Sequence, residues 1–337
     1  MEETIMKIGC LGAGVWGFCL ARLLSSKGYD VILWSRDKEL VAQLTETGEH
    51  PFLPGAFAHE TMTFTSNLQE AIEGVDLIME SVTSAGIRPV FEQIKSKSIP
   101  TCPIVITSKG IEQHSGLTMA NVLMEVLGPQ SRNQIAYLSG PSYAIEVSKG
   151  LPTSVVVAAY DFDVMMQVCE TFTTPAFRVY PNDDVLGVAY GGALKNIIAI
   201  ACGIAEGLGL GYSTKAAIMT RGLHEIRKLA VAQGCKSETL SGLSGMGDLC
   251  LTCGSLISRN CRYGYLIAQG NSLQEAHKQI GMVVEGAYTC LSAYQLSQKL
   301  NIQMPITETV YKILYEKMPV SNAVQMLMER SVKAEHL

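Results

Sequence analysis

The chain has 337 residues, 47% of them hydrophobic and 17% charged, which is enough for two domains with sizeable cores and excludes a disordered chain. A formal net charge of -5 offers no basic surface for nucleic acid. Ten cysteines without framework spacing in a chain this long point to reduced thiols in a cytoplasm, and a start that runs from Ile8 to Leu11 straight into glycines is not a signal peptide.

In chain order, Thr4 to Leu11 reads as a buried strand. Gly12-Ala13-Gly14-Val15-Trp16-Gly17 follows, then a helical run ending near Gly28 and a second strand over Asp30 to Trp34. This is the strand, G-x-G-x-x-G, helix, strand order of a dinucleotide-binding fold. Gly12 allows the tight turn, Gly14 admits the pyrophosphate, and Gly17 brings helix and strand together. The free amides of the helix N-terminus then face the phosphates. An NAD-preferring site usually carries an acid about 20 residues on. Here the second strand ends Trp34-Ser35-Arg36, and Arg36 can pair with a 2′-phosphate, so NADPH is favoured over NADH.

Further strands are predicted over Asp76 to Val82, Pro103 to Ser108, Ile135 to Ser139, Thr153 to Ala159 and Phe177 to Tyr180. Helical segments such as Ile87 to Lys97 and Gly116 to Leu127 lie between them. Alternation of this kind means a largely parallel sheet covered on both faces. Two strands end in polar signals, Ser108-Lys109-Gly110 and Ser139-Gly140-Pro141-Ser142. Ligands bind at the carboxyl ends of such strands, so Lys109 is expected to point into the cofactor crevice.

From Val185 onward no period-2 strand appears. The expected division is a Rossmann-type α/β domain over 1–183 and an all-α substrate domain over 184–337. Val185 to Gly211 is apolar on all sides, with Lys195 and Glu206 its only charges, which means a helix buried in a core. Those charges and its glycines argue against a membrane span. Gly191-Gly192 let another backbone or a ligand approach. Lys195 either snorkels to a rim or is a desolvated ammonium able to donate a proton near neutral pH. Further helices are predicted from Ser213 to Gly234, from the capping box Ser272-x-x-Glu275 to Gly281, over Ile306 to Lys317, and from Ser321.

The polar cluster of this half is GLSGMGDLCLTCGSLISRNCRYG. Asp248 is a lone acid among apolar residues, either bonding its own turn or orienting Lys195. Ser258-Arg259-Asn260 reads as a helix start whose arginine, amide and free N–H groups suit a phosphate or carboxylate, against surface positions as the alternative. Cys250-x-x-Cys253 has no second pair and no nearby histidine, so no metal is expected. Taken together, Lys195 can protonate a carbonyl reduced by hydride, Asp248 can tune it, and Arg259 and Asn260 can anchor an anionic substrate in a cleft between domains, with Lys109 adding positive field.

The chain also resembles the NAD(P)-dependent sn-glycerol-3-phosphate dehydrogenase family of bacterial biosynthetic type over nearly its whole length. The resemblance rests on GAGVWG, SKGIE, LSGPSYAIEVSKGLPT, GGALKNIIAIACGIAEGLGLG, TRGLHEI, GLSGMGDLCLTC, SRNCRYG, VVEGAYT and PITETVYKILYE. It implies reversible reduction of dihydroxyacetone phosphate to sn-glycerol 3-phosphate for glycerophospholipid synthesis. It further implies Lys195 as proton donor and acceptor, with Lys109, Gly140, Ser142, Asn196, Asp248, Thr252, Ser258, Arg259 and Asn260 on the substrate. Cofactor contacts carry over to Gly12, Gly14, Val15, Trp16, Gly17, Arg36, Lys109, Ala144, Arg259, Val283 and Glu285. Thr83 stands where relatives often have proline. The competing readings are a beta-hydroxyacid dehydrogenase acting on a carboxylate and a non-catalytic NADPH-binding sensor. A cytoplasmic protein is expected, acting on a small molecule, without nucleic acid or membrane span, and with a homodimer as its assembly.

Overall fold

The computed structural model describes residues 5–329, 331, 334 and 335; Thr4, the first residue of the predicted opening strand, lies outside them. The chain forms two compact units, Met1–Ser108 with Met119–Val185, and Lys109–Thr118 with Leu186–Leu337.

Unit 1 is built on an eight-stranded sheet of β1 (Lys7–Leu11), β2 (Asp30–Trp34), β3 (Met62–Thr65), β4 (Leu77–Glu80), β5 (Ile104–Ile106), β6 (Ile135–Ser139), β7 (Thr153–Ala159) and β8 (Phe177–Asn182). Its order is β3-β2-β1-β4-β5-β6-β7-β8, with β7 antiparallel to β6 and every other neighbouring pair parallel. The first six positions follow the dinucleotide-binding order, in which the chain reverses direction across the sheet beside β1. Between the strands run α1 (Val15–Ser25), α2 (Lys38–Thr47), α3 (Ile87–Lys95), α4 (Met119–Leu127), α5 (Ala144–Ser148) and α6 (Phe162–Phe172). β1, β4, β5 and β6 are buried almost throughout. They therefore appear in sequence as continuous apolar runs rather than alternating ones. β3 was not predicted: it is four residues long, pairs only with β2 at the sheet edge, and reads MTFT.

The turn after β1 is supported by a residue that no motif names. His50 is 3% exposed, and its Nε2 lies 3.1 Å from the Ala13 carbonyl inside the glycine loop. Its Nδ1 accepts from the Phe52 amide at 3.2 Å, so Nε2 carries the proton and the ring is neutral. Burial lowers its pKa from the ordinary 6.5, while the bond to Ala13 acts the other way. A depressed histidine stabilises the fold above its unfolded pKa and loses that contribution as pH falls through the folded value. His50→Ala should cost about 1–3 kcal/mol at neutral pH and flatten the fall in Tm below pH 6.5. Calorimetry on both proteins across that range checks it.

Unit 2 is helical: α7 (Val185–Gly207), α8 (Gly211–Ala232), α9 (Ser237–Ser241), α10 (Asp248–Gly254), α11 (Arg259–Ala268), α12 (Leu273–Ile280), α13 (Glu285–Lys299), α14 (Pro305–Tyr315) and α15 (Ser321–Met328). By length and hydropathy α7 could cross a membrane, yet 89% of its apolar window is buried within the protein, as the core helix of this unit. The capping box at α12 is present, Ser272 accepting from Glu275 N, and Gly281 ends the helix in the left-handed conformation.

One part of the division departs from a single break after residue 183. Lys109–Thr118 follows β5 in sequence but belongs to unit 2. Ile111 is 2% exposed in the helical core, its carbonyl accepts from Ser292 Oγ at 3.1 Å, and Gln113 Nε2 donates to the Tyr288 carbonyl. These contacts to α13 are long-range, and nothing local in SKGIE announces them.

Candidate active site

The group of bonded charges in unit 2 starts from α7. Lys195 lies near its middle, 6% exposed, with Asn196 beside it. Opposite stands the turn 243–247, which delivers Asp248 as the first residue of α10. The two backbones can meet because residue 191 has no side chain. A Cβ there would lie 2.8 Å from the Ser244 carbonyl oxygen. The glycine pair before Lys195 thus serves, at Gly191, the close approach of a backbone.

Across this junction Lys195 Nζ donates to Asp248 Oδ1 at 2.6 Å and to Thr252 Oγ1 at 2.5 Å. Thr252, one turn along α10, in turn donates to Asp248 Oδ1 at 3.2 Å. Lys109 Nζ reaches the other carboxylate oxygen, Oδ2, at 2.6 Å. One carboxylate therefore holds two ammonium groups, and the trio carries a net positive charge. Asp248 is 1% exposed. Burial works to raise its pKa, but the two lysines outweigh burial and hold it below the ordinary 3.8. For Lys195 burial is the largest influence. It lowers the ammonium from 10.5 to about 8, against the attraction of Asp248 and with help from the Lys109 charge.

An amide pair adjoins this trio. Gly286 N donates to Asn260 Oδ1 at 2.9 Å, and a backbone N–H can only donate, so this fixes which end of the Asn260 amide is oxygen. Its Nδ2 therefore faces Asn196 Oδ1, at 2.9 Å. The Asn196 oxygen is thus used within the protein, and its Nδ2 is the end available to a ligand. Ser258 caps α11 by accepting from Cys261 N at 3.3 Å, leaving the amides of Arg259 and Asn260 in the first turn of a ten-residue helix. Arg259 is exposed and donates from Nη1 to the Val283 carbonyl at 3.3 Å, just before Glu285 opens α13.

The remaining predicted residues form a second group, at the carboxyl ends of strands in unit 1. Gly12 follows β1 at φ 109°, and a Cβ on it would meet the Ser81 carbonyl at 2.6 Å. A Cβ on Gly17 would lie 2.0 Å from the Gly12 carbonyl, whereas one on Gly14 would have nothing within 4 Å. The loop is therefore closed on its protein side and open at Gly14, where α1 begins without a side-chain cap. An open, uncapped helix start of this kind can hold a pyrophosphate, with Val15 and Trp16 in its first turn. Arg36 is exposed two residues beyond β2, and the following Asp37 spends its carboxylate capping Glu39 N and Leu40 N at 3.1 Å. Gly140 and Ser142 follow β6, with Ser142 Oγ donating to the Gly140 carbonyl at 3.2 Å, and Ala144 begins α5.

Sequence reasoning missed Glu80, fully buried at the end of β4. It accepts from Val82 N and from Ser108 Oγ, each at 2.7 Å, fixing the residue immediately before Lys109. Its signal was an acid closing the apolar run Leu77-Ile78-Met79. Gly191→Ala should force the 243–247 turn off α7, lowering stability by about 1–3 kcal/mol and turnover by more than that loss explains. Thermal melts beside steady-state rates check this; unchanged rates would show that the junction does not position Asp248.

Comparison with known proteins bears on both units. Residues 7–165 match the family NAD-dependent glycerol-3-phosphate dehydrogenase N-terminus, and residues 184–325 match NAD-dependent glycerol-3-phosphate dehydrogenase C-terminus. The chain is 60% identical over 331 residues to the NAD(P)+ glycerol-3-phosphate dehydrogenase of Protochlamydia amoebophila, covering 98% of this chain and 99% of that one. It is 54% identical over 330 residues to the enzyme of the same name from Chlamydia pneumoniae, with the same coverage. Among solved structures, glycerol-3-phosphate dehydrogenase from Coxiella burnetii superposes with a TM-score of 0.92 at 39% identity, over 97% of this chain and 99% of that one.

Proposed function

This chain belongs to the NAD-dependent glycerol-3-phosphate dehydrogenase family, and on that premise we propose how its residues carry the reaction. It is an oxidoreductase that interconverts dihydroxyacetone phosphate and sn-glycerol 3-phosphate with NAD(P)H, supplying glycerophospholipid synthesis. The observation that carries the mechanism is the sharing of Asp248 by Lys195 and Lys109.

Bound NAD(P)H supplies the hydride. The chain supplies the proton. Lys195 has three N–H groups, of which two are spent on Asp248 and Thr252, and the third donates to the carbonyl oxygen as it becomes an alkoxide. In the reverse direction the neutral amine removes the hydroxyl proton. Asp248 and Thr252 hold Nζ in place through both states. Lys109 and the net positive charge of the trio favour an anionic substrate, and its phosphate is assigned to the first turn of α11, with Ser258, Arg259 and Asn260. The spare amide of Asn196 orients the substrate oxygens.

NADPH is proposed as the preferred cofactor because Arg36, not an acid, stands exposed after β2 while Asp37 is engaged in capping. Ala144, Val283 and Glu285 are assigned to the cofactor, and Gly140 and Ser142 to the substrate. A cytoplasmic location is proposed, supported by ten free cysteines. A homodimer is proposed, supported by the exposed aromatic side chains Tyr212, Tyr288 and Tyr315 on the helical unit.

Lys195→Ala should lower kcat about 10²–10⁴-fold in both directions while leaving NADPH affinity within a few-fold. Because the ammonium is the acid and its pKa is about 8, reduction should fall as pH rises past 8, and oxidation should rise toward that pH. Stopped-flow absorbance of the reduced nicotinamide reads both limbs, and a Lys195→Ala enzyme that keeps its rate would sink the assignment. Arg36→Ala should cut kcat/KM for NADPH about tenfold or more and leave NADH nearly unchanged. An equal effect on both cofactors would refute the 2′-phosphate role.

A further inference from the structure

The carbonyl groups of the glycine loop are turned toward the protein. The Gly12 carbonyl lies against Gly17, the Gly14 carbonyl accepts from Phe18 N at 2.9 Å, and the Ala13 carbonyl meets His50 Nε2 at 3.1 Å. The Ala13–Gly14 peptide is trans and planar, so its C=O and N–H point in opposite directions. With the Ala13 oxygen directed at a buried histidine, the N–H of Gly14 is directed away from it. Gly14 is exposed, a Cβ there would touch nothing within 4 Å, and its amide has no protein acceptor among the described residues. His50 therefore settles which way one amide on the open side of the loop points.

His50 is itself held by several contacts. Its segment is closed by Ala58 N donating to the Gly48 carbonyl at 2.7 Å, and pinned to α1 by Arg22 Nε donating to the Phe57 carbonyl at 2.7 Å. The ring has two aromatic neighbours, Phe18 with centroids 5.3 Å apart and Phe52 with centroids 6.0 Å apart. Phe18 is also the residue whose amide closes the first turn of α1 on Gly14. The Phe52 amide occupies Nδ1 at 3.2 Å, which commits the ring proton to Nε2 and so to Ala13. Packing alone would be met by any apolar side chain that filled this space. A ring N–H presented to a loop carbonyl adds an orientation that packing does not supply.

We propose that His50 is a positioning residue for cofactor binding: by holding the Ala13 carbonyl it aims the Gly14 amide at the pyrophosphate of NAD(P)H. This role rests on the dinucleotide reading of the loop given above, and it brings in a side chain 37 residues away from the carbonyl it holds. An amide aimed at an anion makes a charge-assisted hydrogen bond, about twice as strong as a neutral one. Released from His50, the Ala13–Gly14 peptide is free to rotate, and binding then includes the cost of turning it back.

The test uses the full-length enzyme and two variants: His50→Phe, which fills the ring site without a donor, and His50→Gln, whose Nε2 restores one. Binding is read by nicotinamide fluorescence for NADPH, and by its displacement for adenosine 2′-monophosphate, which carries no pyrophosphate. His50→Phe should weaken NADPH about tenfold or more, while adenosine 2′-monophosphate stays within about twofold of its affinity for the unaltered enzyme. His50→Gln should recover most of the loss. In steady state the KM for NADPH should follow the binding constant, with kcat at saturating NADPH falling far less than KM rises. Unaltered NADPH affinity in His50→Phe, or no recovery in His50→Gln, would overturn the proposal. So would equal weakening of both ligands, since His50 would then only support the fold. Dihydroxyacetone phosphate reduction by the unaltered enzyme is followed separately, so failure of the enzymatic reading and failure of the His50 role are told apart.

Discussion

One carboxylate serving two ammonium groups, almost out of reach of water, is the interaction on which the site depends. Asp248 is 1% exposed and Lys195 6%, while Lys109 reaches the carboxylate from a partly exposed position. Desolvation and the second lysine push Lys195 toward neutrality, while the carboxylate pulls it back. The balance near 8 suits a group that gives a proton in one direction and takes it in the other. Without Lys109 the carboxylate would hold Lys195 more firmly charged, and the ammonium would be a weaker acid.

That balance requires backbones to come closer than side chains ordinarily allow. The turn 243–247 rests on α7 at Gly191, and the N-terminus of α13 rests beside Asn196 at Gly286, where a Cβ would lie 2.6 Å from Asn260 Oδ1. The apolar faces of α7 supply the packing that offsets the cost of burying two charges, Lys195 and Asp248. The stretch that looks least functional in composition is therefore the platform of the chemistry. Two of its polar residues, Lys195 and Asn196, bond to Asp248 and to Asn260 respectively.

What was legible in the sequence follows the range of each interaction. The glycines of the loop after β1 are legible from their spacing, although the contact of Gly12 with the Ser81 carbonyl is long-range and only that of Gly17 with the Gly12 carbonyl is local. The capping box of α12 is equally local. Lys195 could be singled out because a charge in an apolar helix is costly and demands a reason. Nothing local revealed that His50 props the glycine loop from 37 residues away. Nor could spacing show that the Lys109–Thr118 segment leaves the sheet to join the helical core, or that Asn260 reaches Asn196 across 64 residues. β3 escaped because four residues at a sheet edge carry too little hydrophobic periodicity to stand out.

The most direct test of the account is the titration of Lys195 itself. Lysines carrying ¹⁵N at Nζ are observed by heteronuclear NMR across pH, with Lys195→Ala identifying the signal. One ammonium titrating at about 8, absent from the variant, is the result the shared carboxylate predicts. A Lys195 signal that titrates at the ordinary 10.5 would mean that the group is solvated and that Asp248 is an ordinary ion-pair partner.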